Sequence, residues 1–170
     1  MFTHRKGRFY LGSTSFALPN ECLIDTKTPI VSHNSIIIKP LDQPFQIYIS
    51  FYPSGKDAFG SIRELVCDWL KATGVKQEYY SCGTGWSTFY GNKKSSFYEV
   101  WFDMKTPVLD EMGHLLRTLT VEVRTDTMDG VKTAIKCALF QELLESIEMW
   151  EVKNNAYRFQ LDIQGRSDSR

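Results

Sequence analysis

The sequence predicts an α+β domain in which an antiparallel β-sheet is flanked by two main helices, an α/β/α sandwich. Three observations predict it. Two segments, 61–73 and 131–148, carry apolar residues at helical spacing. Most of the remainder alternates apolar with polar residues. Tight turns join consecutive alternating segments, which makes neighbouring strands antiparallel.

Early strands are predicted near 8–11, 21–25 and 35–39. In the next, Phe45, Ile47, Ile49 and Phe51 alternate with Gln46, Tyr48, Ser50 and Tyr52, giving one buried and one wetter face. The first helix follows. Ile62, Leu65, Val66, Trp69 and Leu70 form one face, Ser61 and Glu64 have capping-box spacing, and Gly74 suits a left-handed stop. Segments 77–82 and 86–90 flank Gly83-Thr84-Gly85, which reads as a hairpin with a three-residue loop. Segment 97–102 is apolar on both faces apart from Glu99 and is placed centrally in the sheet. Residues 105–113 contain Pro107 and Gly113 and read as a loop. Leu119, Val121 and Val123 alternate with Thr118, Thr120, Glu122 and Arg124 in a further strand.

The second helix has a stripe of Val131, Ile135, Leu139, Leu143 and Ile147, widened by Ala134, Ala138, Phe140 and Leu144. Thr127 or Asp129 serves as its N-cap. Lys132 and Lys136 come early and Glu142, Glu145 and Glu148 late, against the helix dipole, so burial must hold it. Residues 156–163 alternate again and predict a last strand, at the sheet edge or against another subunit. The polar residues 165–170 are expected to be disordered. Residues 1–150 thus form a single domain and 151–170 an extension.

Composition narrows the function classes. The 170 residues are 42% hydrophobic and 14% aromatic, too apolar for a disordered chain. Such a length buries about 70% of its unfolded surface and needs no metal or disulfide staple. Twenty basic residues balance twenty acidic ones, so no net field draws the chain to nucleic acid or anionic lipid. No apolar run predicts membrane insertion, and Met1 to Gly12 lacks the apolar core of a signal peptide. A cytoplasmic protein is expected. Cys22, Cys67, Cys82 and Cys137 form no Cys-x-x-Cys pair and are expected as free thiols.

Chemical motifs are sparse. His4, His33 and His114 have no His or Cys partner at ligand spacing, so neither metal nor cofactor is expected. Gly83-Thr84-Gly85 lacks the third glycine and the following helix of a dinucleotide loop. Cys82 and His114 are the thiol and base a nucleophilic mechanism would use, but a strand-end cysteine and a surface histidine explain them more simply. Aromatics are the distinctive feature. Tyr79, Tyr80, Trp86, Phe89 and Tyr90 crowd one hairpin, and Trp and Tyr anchor protein interfaces. Tyr79, Trp86 and Tyr90 are the candidate binding residues.

The order of elements, with Phe16-Ala17-Leu18-Pro19 near the start and a helix closing in Leu144-Glu145-Ser146-Ile147, resembles the PsbP-like fold group. That group takes in PsbP, the Ran-binding Mog proteins and the DcrB-like proteins, and the resemblance spans about residues 8–150. It implies an α/β/α sandwich around an antiparallel sheet. It also implies binding of other proteins, such as a small GTPase, photosystem subunits or hydrophobic segments of secreted effectors. No residue set defines function across the group, so it assigns no site residue.

The function expected is a non-enzymatic protein-binding module, an adaptor or chaperone-like domain. The alternative is a small-molecule-binding protein or hydrolase with a pocket between sheet and helix. A homodimer through the C-terminal extension is also open. If the extension makes that dimer, deleting 152–170 is expected to yield monomers by size-exclusion chromatography with light scattering. Unchanged elution of the truncated chain would exclude it.

Overall fold

A computed structural model describes residues 3–5, 7–19, 21–25, 35–53, 76–80, 83–90, 93–110 and 112–152. Side chains are described over 7–19, 21–24, 35–53, 95–110 and 112–152. The helix expected at 61–73 and the strand expected at 156–163 lie outside these residues.

Alternating residues build two antiparallel sheets. The smaller has the order β1 (Thr3–Arg5), β2 (Arg8–Leu11), β3 (Thr14–Ala17) and β11 (Glu148–Met149). The larger begins with β4 (Cys22–Asp25), β5 (Ser35–Pro40) and β6 (Gln46–Tyr52). It continues through β10 (Leu115–Thr125), β9 (Lys93–Leu109), β8 (Gly83–Tyr90) and β7 (Lys76–Tyr80). Two helices follow β10: α1 (Met128–Lys136) and α2 (Ala138–Glu145). The fold class is the α+β class expected, with antiparallel sheets and, among the described residues, two helices, both from the segment predicted as the second helix.

Register decides what each face of the larger sheet carries. Val123 pairs with Ile47 and Tyr98, Val121 with Ile49 and Val100, and Leu119 with Phe51 and Phe102. Directly paired residues share a face. This one is the core face, with Ile47, Ile49, Leu119, Val121 and Val123 fully buried. The helices cover it. Phe140 of α2 meets Tyr98 edge to face, 6.2 Å between ring centroids, and Val131 and Ala134 of α1 join the same cluster. Each such side chain contributes about 1.5–3 kcal/mol on full burial. Segment 97–102 is interior to the sheet, as its two apolar faces predict, since β9 pairs with both β8 and β10.

The second helix departs from expectation. It breaks at Cys137, whose backbone is extended (φ −65°, ψ 136°), and ends at Glu145, not at 148. The reason is Phe140. On an unbroken helix it would lie about 180° around the axis from Val131, facing away from the core. The break turns both residues inward, and both reach 0% exposure. It also reverses the dipole argument for α1, while Glu142 and Glu145 remain late in α2. Lys136 now sits in the last turn of α1 and Asp129 in its first, both favourable, while Thr127 caps the start by accepting from the Gly130 N–H. The Gln141 side chain donates to the Ile135 carbonyl left open by the break.

Two loop assignments also change. The connection expected at 105–113 is mostly strand, because β9 runs to Leu109. Pro107 is accommodated because pairing shifts there: Asp103 pairs with Thr118 and Val108 with Leu116, so Met104, Lys105, Thr106 and Pro107 stand opposite the single Arg117. A proline is tolerated in such a bulge, where no ladder N–H is required. In the hairpin, Gly83-Thr84-Gly85 belongs to β8, and Tyr80 already pairs with Gly83. The connection is therefore two residues, and the glycines are extended, a conformation open to glycine as readily as a turn.

The bulge fastens the two sheets together. Ser13 Oγ donates to the Thr106 carbonyl (2.8 Å), Thr106 Oγ1 donates to the Trp150 carbonyl (3.2 Å), and the Val152 N–H donates to Thr106 Oγ1 (2.8 Å). The turn between β2 and β3 packs on the same place. Gly12 has φ +55°, and a Cβ there would overlap the Val108 side chain. Gly12→Ala is expected to cost at least about 2 kcal/mol, from backbone strain and overpacking. Val108→Ala should cost less in that background than alone, with a coupling of about 1 kcal/mol in a urea double-mutant cycle. Strict additivity would show that this contact does not set the turn.

Candidate functional site

The second face of the larger sheet is polar and aromatic. Along β10 it carries Thr118, Thr120, Glu122 and Arg124, the residues between the core positions. Glu122 pairs with Tyr48 and Glu99, and Arg124 with Gln46 and Phe97. Thr118, Thr120 and Glu99 are buried, and Tyr48 and Phe97 half-buried.

Arg124 is the best-defined side chain of this face. Its guanidinium carbon lies 4.2 Å from the Tyr48 ring centroid and 4.8 Å from that of Phe97. Nε donates to Glu122 Oε1 at 2.9 Å, and Nη2 lies 2.7 Å from the same oxygen. Tyr48 is held in turn, its hydroxyl donating to Gln46 Oε1 at 2.9 Å. Two rings pack against the guanidinium and a carboxylate takes one edge. A guanidinium has five N–H groups. Among the described residues Nη1 takes no hydrogen-bond partner.

That residue lines a cavity of about 420 Å³ at the end of the face. Lys39, Pro44, Gln46, Ser95 and Asp126 line it too. A second cavity of about 420 Å³ adjoins it across Pro44, Phe45 and Thr125, and runs under α1 past Thr127, Ala134 and Cys137. The first is polar with two cations. The second is bounded mainly by the first turns of α1 and by Phe45. Beyond the first, the β4 edge exposes Leu23, which pairs with Lys39, and the β5–β6 turn exposes Leu41, each at 58%.

Register relates this face to the hairpin. Tyr79 pairs with Thr84, which pairs with Glu99; Trp86 pairs with Phe97; and Tyr90 pairs with Lys93. Positions 79, 86 and 90 therefore share the face of Phe97 and Arg124. Their side chains lie outside those described. Sequence reasoning missed Arg124, although it placed Tyr48 on the wetter face of its strand.

Cys82 lies outside the described residues. His114 is exposed in the β9–β10 turn, where its Nδ1 stands 3.2 Å from Asp110 Oδ2 and its backbone N–H donates to Asp110 Oδ1 at 2.7 Å. The buried Asp110 also accepts from the Met112 N–H, so the pair organises a turn away from both cavities. Burial pushes the Cys22 thiol up from its ordinary range, helped by Cys137 and Glu21 nearby, which keeps it protonated and poorly nucleophilic. Among the described residues no cluster of His, Cys, Asp and Glu could hold a metal ion, and no helix is long and apolar enough to cross a membrane.

The arginine clamp is testable on its own. Arg124→Lys keeps the charge but loses the planar stack and the fork. It is expected to destabilise the fold by about 1 kcal/mol and to alter the near-ultraviolet circular dichroism of Tyr48. An unchanged spectrum and urea midpoint would show that the stack is not held in solution.

Compared with family models, with curated proteins and with solved structures, the chain matches none.

Proposed function

We propose that the chain is a non-enzymatic protein-binding module, an adaptor or chaperone-like domain, whose partner lies against the second face of the larger sheet. The observation that carries this reading is the guanidinium of Arg124, held against two rings at the lining of a cavity. Arg, Tyr and Trp are the residues that dominate interface energetics, because they combine large contact area with directed polar groups. Register adds positions 79, 86 and 90 to that face. The resemblance to the PsbP-like group supports the same reading at the level of fold, since its members mostly bind proteins. In this reading the domain acts in the cytoplasm, and a second copy docked through 151–170 is one arrangement open to it.

A second reading is favoured by the cavity beneath α1. Its volume of about 420 Å³ lies within the range of small-molecule sites, roughly 300–1,000 Å³, and it is the sheet–helix pocket that reading requires.

The test is affinity capture by the tagged full chain from native cell extract, with quantitative mass spectrometry. Trp86→Ala with Tyr90→Ala is expected to lose a partner that the parent chain takes in stoichiometric amount, at an unchanged unfolding midpoint. Equal capture by both chains would remove the hairpin from the site. No stoichiometric partner, together with thermal stabilisation by a metabolite, would favour the cavity reading instead.

A further inference from the structure

We propose that the cavity bounded by Lys39 and Arg124 binds the carboxylate of an acidic residue in a partner protein segment, flanked there by apolar side chains. The inference rests on the protein-binding reading and names the chemistry of what is bound.

The geometry of Arg124 selects the group. The Tyr48 and Phe97 rings pack against the guanidinium, and Glu122 occupies its Nε edge. Among the described residues Nη1 takes no hydrogen-bond partner, so a ligand can pair with it in the guanidinium plane. Two coplanar oxygens fit that approach, in the end-on pairing across Nη1 and Nη2 that arginine makes with carboxylates. The clamp also removes the ordering cost that a free arginine would meet on binding.

Charge selects the valence. Lys39 and Arg124 supply two positive charges to the cavity, and Asp126 supplies one negative charge to the same lining. Glu122 adds a further carboxylate on the guanidinium. These four charges balance, so a dianion gains little more from them than a monoanion does and loses more hydration on entering. Gln46 and Ser95 provide neutral groups for the remaining lone pairs.

Surroundings select the context. Pro44 and Phe45 separate this cavity from the one under α1 and line both. Leu23 and Leu41 are exposed on the other side. An acidic side chain seated on Arg124 would thus have apolar surface to either side of it. A short segment with an acid between apolar residues satisfies all three features; a free inorganic anion satisfies one.

The experiment is a titration of the ¹⁵N-labelled full chain, followed by backbone amides and the Arg124 Nε–H. The probes are a blocked tripeptide with glutamate between two leucines, its glutamine counterpart, and inorganic phosphate. The glutamate peptide is expected to shift the Arg124 Nε–H and the Gln46 and Ser95 amides saturably. The glutamine peptide should bind at least tenfold more weakly, and Arg124→Gln should lose a similar factor while its unshifted amides report an intact fold. Equal binding of both peptides, phosphate binding as tightly as the glutamate peptide, or shifts unaffected by Arg124→Gln would each overturn the proposal. Lack of any saturable shift by the peptide would overturn it too. Retained partner capture by Arg124→Gln, with loss in the hairpin variant, would then leave the protein-binding reading standing and discard this site alone.

Discussion

The register of β10 against β6 and β9 is the constraint on which the rest of the structure depends. β10 is the middle strand of the larger sheet, and its alternation is strict from Thr118 to Arg124. In the observed register Leu119, Val121 and Val123 meet apolar partners on both neighbours, and Glu122 and Arg124 meet Tyr48 and Phe97 on the other face. A slip of one residue would exchange the faces, putting Arg124 under the helices and Val123 in the polar row. The buried side chains specify the register, and the register builds the arginine clamp. Core and candidate site are two consequences of one pairing.

A second constraint follows where that pairing fails. The bulge at Met104 to Pro107 frees the Thr106 backbone and side chain from the ladder, and they bond Ser13, Trp150 and Val152 instead. At the other end of β11, Arg8 donates to Ser15 Oγ and the Ser146 carbonyl, while Ser146 Oγ accepts from the Ala17 N–H. The helix pair is thereby tied to the smaller sheet at the end of α2, and the larger sheet is tied to it through β9. These bonds lie on the helix-covered side of the molecule and leave the polar face of the larger sheet to other uses.

Local pattern made much of the fold legible in the sequence. Strict alternation identified β6 and β10, and the two-sided apolar run placed β9 in the interior. The helix break was also written there, in the position of Phe140 opposite Val131, but a wide stripe conceals a break because both halves look amphipathic. Pro107 misled for a related reason: a proline marks a loop or a bulge alike, and only the pairing partner distinguishes them. Arg124 was less accessible still. Its neighbours Tyr48 and Phe97 stand far away in the chain, and only the pairing of β10 with two other strands brings them to either side of it. A charge on the wet face of a strand is ordinarily a solvated charge, so sequence alone gave no reason to single it out.

What distinguishes Arg124 energetically is the order imposed on it. Holding an arginine in one rotamer costs about 2 kcal/mol of side-chain entropy. Two cation–π contacts at a half-exposed position and one screened ion pair offset a cost of that size without a large surplus. The clamp therefore adds only about 1 kcal/mol to global stability. Its effect is local. The guanidinium is held by two rings and a carboxylate at the lining of a cavity that Lys39 also lines. A group so ordered at so little net gain to folding is suited to recognition, because the entropy of fixing it has already been lost before a ligand arrives.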